Sequence, residues 1–107
     1  LYSSHEFKEH YIELSDIIKL FLGKIYKQHM VEMTTFEISH ICKKKLNKNL
    51  FLKLKNILSF SDYIKFAKQI PSLDEHNEQK EKTIQLISQI WETEQKILEK
   101  YTEDPIK

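Results

Sequence analysis

Glycine occurs once in this 107-residue chain, proline twice, cysteine once and arginine not at all. Hairpins and tight turns need residues that tolerate positive φ, and Gly23 is the one glycine available to supply them. A sheet-based fold is therefore excluded on turn chemistry, as is a glycine-rich phosphate loop. The lone Cys42 cannot form an internal disulfide, and without a histidine cluster it cannot build a structural zinc site. All 17 basic residues are lysine. The planar, bidentate recognition of phosphates and base edges that arginine provides is thus missing. No apolar run approaches the roughly 20 residues that span a bilayer; Ile17-Ile18-Lys19-Leu20-Phe21-Leu22 is the longest. No secretory leader is visible at the start, and beginning at Leu1 rather than Met suggests a piece of a longer protein.

What is present is helical patterning. A 40% hydrophobic content suits one core, and the length suits one domain over residues 1–107. Phe7, Tyr11, Leu14, Ile18, Phe21, Leu22 and Ile25 recur at three- and four-residue steps, an apolar stripe for a first helix that Ser3 and Glu6 would cap. Gly23 marks a kink, a close contact or nothing. Thr34 and Glu37 form a second capping box, with Met33 and Ile38 placed as a hydrophobic staple. That helix carries Ile38, Ile41, Cys42 and Leu46 inward and ends in Lys43-Lys44-Lys45, where cations suit the helix dipole. Asn47 or Asn49 caps a third helix with Leu50, Leu54, Ile57 and Leu58 as its stripe. Ser59, Ser61 and Asp62 then predict a break and a short helix from Asp62 to Lys68, burying Tyr63, Phe66, Ala67 and Ile70 and stopped by Pro71. Ser72 and Glu75 open a long last helix to about Tyr101, wholly polar from Asp74 to Lys82, with Ile84, Ile87, Ile90, Trp91, Leu98 and Tyr101 as its apolar stripe. At about 1.5 Å per residue such a helix outruns a domain of this size, and its polar first turns are the part expected to project. Residues 102–107 read as a frayed tail. The expected fold is all-α, a compact bundle of four to five helices with a long C-terminal helix.

Catalytic chemistry finds no footing in this pattern. His5, His10, His29, His40 and His76 lack the spacing of a metal motif, Cys42 falls on a buried stripe, and the acidic pairs read as helix-surface charge. No enzyme activity and no cofactor are expected. Binding is another matter. Residues 1–71 hold 12 lysines against 7 acids, whereas residues 72–107 hold 5 against 9. The basic half contains the cluster Lys43, Lys44, Lys45, Lys48, Lys53 and Lys55, which a nucleic acid or an anionic lipid surface would attract. The acidic half contains Glu75, Glu78 and Glu81 on the polar start of the last helix, suited to a protein partner.

The order of three segments carries a resemblance. Tyr11-Ile12-Glu13-Leu14-Ser15-Asp16-Ile17-Ile18, then Glu32-Met33-Thr34-Thr35-Phe36-Glu37-Ile38, then Leu58 to Phe66-Ala67-Lys68 and Pro71 resemble the C-terminal cytoplasmic domain of BatD-like bacterial proteins. Those are single-pass membrane proteins of aerotolerance, or oxygen-tolerance, operons. The match spans roughly residues 11–71, over half of the chain. The resemblance implies a protein–protein interaction module on the cytoplasmic face of the bacterial inner membrane, tethered by a hydrophobic segment ahead of Leu1. It implies a MoxR-type ATPase or von Willebrand-domain proteins as partners, and it carries over no catalytic residue. A nucleic-acid-binding domain using Lys43 to Lys55 is the alternative reading.

Overall fold

A computed structural model describes residues 4–67 and 70–102. Every regular element among them is a helix: α1 Ser4–Tyr26, α2 Thr35–Lys45, α3 Lys48–Ala67 and α4 Leu73–Thr102. The Ser3 cap, the side chains of His5, Ala67 and Tyr101, Lys68, and the tail after Thr102 lie outside the described residues.

Local signals set most helix ends. Thr34 accepts a hydrogen bond from the Glu37 amide while the Glu37 carboxylate accepts one from the Thr34 amide, closing the expected capping box. Asn47, rather than Asn49, caps α3, its Oδ1 accepting from the Leu50 amide at 2.9 Å. Ser72 and Glu75 form a third box at the start of α4. The end of α1 explains Gly23. Lys27 takes a left-handed φ of 55°, and the Gln28 amide turns back to donate to the Gly23 carbonyl at 3.0 Å. A Cβ on Gly23 would lie 2.6 Å from the Gln28 carbonyl oxygen, so the glycine permits a close approach rather than a kink.

The expected break at Ser59–Asp62 does not occur, so the described residues form four helices, the lower of the expected four to five. α3 runs through because the buried Ser61 hydroxyl donates to the Ile57 carbonyl at 3.0 Å, satisfying itself inside the helix. Asp62 caps no helix of its own. Its carboxylate accepts a 2.6 Å bond from the Thr35 hydroxyl at the start of α2 and pairs with Lys65 at 3.3 Å. Continuity also changes which side chains point inward. Ile64 is buried, whereas Tyr63 and Ile70 are exposed and Phe66 is 76% exposed, contrary to the expected burial of these three.

α3 packs against each of the other helices and forms the spine of the bundle. Ile18 and Leu22 of α1, Met30, Ile38 and Cys42, Leu50, Leu54, Ile57 and Leu58 of α3, and Leu86 and Ile90 of α4 form the main core. A satellite cluster of Phe7, Tyr11 and Ile64 closes the far end. α1 and α4 run in the same direction on α3: His76 meets Phe7, His10 and Tyr11 at the start of α1, and Glu94 lies close enough to Tyr26 to bias its phenol.

α4 is where register differs most from the sequence reading. Its buried face is Thr83, Leu86 and Ile90, with Ile87 half-buried; Ile84 and Leu98 are 56% exposed and Trp91 is 51% exposed. Thr83 reaches a core position because its hydroxyl donates to the Gln79 backbone carbonyl and is not stranded. The projecting part is also the opposite one. The polar first turns lie against α1 through His76, whereas Ile97, one heptad beyond buried Ile90 on the same face, is 45% exposed. The bundle is 25 × 20 Å in cross-section and 58 Å long.

Candidate functional site

The six lysines read as one cluster do not form a single face. Lys53 turns to α4, donating to Gln89 Oε1 at 3.2 Å. Lys45 sits over the Tyr26 ring, 5.2 Å from its centroid. Lys43 and Lys55 converge on a shallow groove of about 430 Å³ between α2 and α3, beside Phe36, His40 and Phe51. Lys44 and Lys48 are exposed. Lys43 and Lys55 therefore share a groove that Lys53 does not reach, because residues two apart on a helix, such as Lys53 and Lys55, point about 200° from each other.

The acidic candidates are largely engaged with their own helix. Glu75 serves the Ser72 capping box, and Glu78 pairs with Lys82 at 2.8 Å one turn on. Glu81 is exposed.

Sequence spacing gave no hint of the juxtaposition at the start of α1 and α4. His10 and His76, 66 positions apart, bring their ring centroids to 5.0 Å. The Tyr11 hydroxyl lies 3.0 Å from His76 Nδ1. Glu6 and Lys80 complete a small cavity of about 90 Å³ around these rings. Burial, and then the neighbouring His10 and Lys80, hold His76 below the usual histidine range. Burial, reinforced by Glu75, pushes the Tyr11 phenol up to about 12, so neither partner is ionised near neutrality. Tyr11 and His76 thus tie the two helices together as a neutral pair. Burial likewise raises the Cys42 thiol to about 11 against the opposing pull of Lys45, leaving it protonated packing rather than a nucleophile. Among the described residues no group of three or more His, Cys, Asp or Glu side chains is placed to hold a metal, and no described helix is long and apolar enough to cross a membrane.

A surface feature remains. Ile84, Ile87, Trp91 and Leu98 lie along one line of α4, at steps of three, four and seven residues. This line is rotated about 100° from the buried one, a single residue's turn. Lys80, one turn before it, lines the small cavity beside the start of α1, so the line begins on the side of α4 nearest α1. The matching edge of α1 starts at His10 and continues through Leu14, Ile17 and Phe21. Leu14 and Phe21 are half-buried against the core, and Ile17 is exposed at the rim. Comparison with known protein families, with curated proteins and with solved structures finds no match for this chain.

Proposed function

We propose that this chain is a non-catalytic protein–protein interaction module. The observation that carries the reading is the second apolar line on α4, which is exposed at Ile84, Trp91 and Leu98 and continues past Ile90, the last buried position among the described side chains. Large apolar side chains recurring at heptad spacing and bordered by charge are the usual surface of a helix that receives a partner. The resemblance to BatD-like domains extends the proposal to a module on the cytoplasmic side of a membrane-anchored bacterial protein, with a MoxR-type ATPase or von Willebrand-domain proteins as partners.

A pull-down from bacterial membranes tests it. Wild-type protein is expected to retain one stoichiometric partner that is lost on Ile84→Asp. Reversing Glu81 is the informative charge change, since Glu75 also caps α4 and its loss perturbs the fold. Failure to retain any partner, together with a low-salt duplex gel shift that requires Lys43 and Lys55, would replace this reading with nucleic-acid binding.

A further inference from the structure

We infer that the groove between α2 and α3 binds single-stranded nucleic acid, with bases stacking on Phe36 and Phe51 and phosphates meeting Lys43 and Lys55. The inference goes beyond the interaction-module reading and uses a different face. α4 meets α3 through Lys53, which points about 200° from Lys55, so α4 stands on the other side of α3 from the groove. The acidic excess of residues 72–107 goes with it. Exposed charges act over roughly 8–10 Å at physiological salt, and the bundle measures 25 × 20 Å in cross-section, so much of that charge is screened from the groove.

Three rings, two lysines and two hydroxyls line this groove of about 430 Å³, and no carboxylate does. The lysines stand on opposite walls, Lys43 on α2 and Lys55 on α3. Lys48, exposed and seven residues before Lys55, prolongs the basic edge of α3. The carboxylates nearest the lining are engaged: Glu37 closes the α2 capping box, and Asp62 accepts from Thr35 and pairs with Lys65. Phe36 is the side chain the fold does not use. It belongs to neither the capping box nor the core and is 80% exposed. Phe51 is half-buried against the core. The ring pairs of the described residues lie elsewhere, which leaves the faces of Phe36, His40 and Phe51 unstacked. Ser39 Oγ, on the same wall as Phe36, is buried and has no hydrogen-bond partner among the described residues.

Unstacked rings beside cations match the bases and phosphates of a single strand. A duplex keeps its base faces in its own stack, and the bidentate reading of base edges is arginine chemistry, which this chain lacks. An acidic peptide would satisfy the lysines but offers the rings no flat partner.

The probe is a fluorescein-labelled oligothymidylate of roughly 12 nucleotides, followed by anisotropy at low salt. A Kd of about 10–100 μM is expected, with log K falling against log salt at a slope of about −1.4 for two phosphate contacts. Phe36→Ala and Phe36→Leu are each expected to weaken binding at least about fivefold, and Phe36→Tyr to retain it, since stacking needs the ring and not its bulk alone. Lys43→Gln with Lys55→Gln is expected to weaken it at least about tenfold and to flatten the salt slope. All three positions are exposed, so the circular-dichroism melting curves should match wild type. Absence of binding at low salt overturns the inference, as does Phe36→Leu binding like wild type. Equal binding of a duplex of the same length removes the stacking argument and overturns it too. A glutamate-rich peptide of equal charge that binds as tightly as the oligonucleotide would overturn it and assign the groove to an acidic protein segment.

Discussion

α3 and α4 are both long helices, yet they bury themselves in opposite ways. α3 spends 20 residues and buries Leu50, Leu54, Ile57, Leu58, Ser61 and Ile64 along nearly its whole length. α4 spends 30 residues, is buried among its described side chains at Thr83, Leu86 and Ile90, and carries a second apolar line on its outside. The difference lies in neighbours rather than composition. α3 has a helix on three sides, so any apolar residue on most of its circumference finds a partner. α4 rests on α3 with α1 alongside, and a helix supported on a narrow arc leaves the rest of its apolar residues to solvent.

Truncations at matched chemistry sharpen this contrast. Leu54→Ala removes a side chain from the centre of the main core and is expected to cost about 3 kcal/mol in urea unfolding. Leu98→Ala, the same change on exposed α4, should stay within about 0.5 kcal/mol. Within α4, Ile90→Ala is expected to cost about 2–4 kcal/mol and Ile97→Ala, one heptad further on the same face, below about 1. Equal costs for the two isoleucines would mean that the bundle packs against α4 as far as Ile97. Caps act locally and should ignore the contrast: Thr34→Ala on α2 and Ser72→Ala on α4 are each expected to cost about 1 kcal/mol by thermal melting. Trp91→Ala belongs with the exposed set, at about 1 kcal/mol or less.

The smallest effect concerns how α4 is held to α1. His76 has a lowered pKa in the fold, so the unfolded chain takes up the proton first as the pH falls. Its contribution is present in full above the ordinary histidine pKa and is lost as the pH drops through that range. The melting temperature should therefore decline between about pH 7.5 and 5.5, and His76→Gln should flatten that decline. A decline unchanged by the substitution would assign it to other groups.

The sequence carried the helix starts with good fidelity because caps are local chemistry. Thr34 with Glu37, and Ser72 with Glu75, each bond within three residues, so spacing alone specifies them. The stripes of α1, α2 and the first half of α3 were legible for a related reason: one apolar line per helix leaves one way to bury it. The errors fall where two readings satisfy the same spacing. Ser61 is a break signal in a string of letters and a satisfied core hydroxyl once Ile57 offers its carbonyl. On α4, the lines Thr83-Leu86-Ile90-Ile97 and Ile84-Ile87-Trp91-Leu98 are both periodic, and the more apolar of the two is the one left outside. The meeting of His10 with His76 had no local signal at all.

Composition and periodicity alone determined that this protein is built of helices, where most of them begin and which residues form its centre, because those properties follow from backbone capping and from one-sided burial. Only the tertiary structure decided which line of α4 lies inward, which end of it projects, and how the lysines divide among faces. Those depend on where α1 and α3 stand around α4, and burial belongs to the pair of surfaces in contact rather than to either helix by itself.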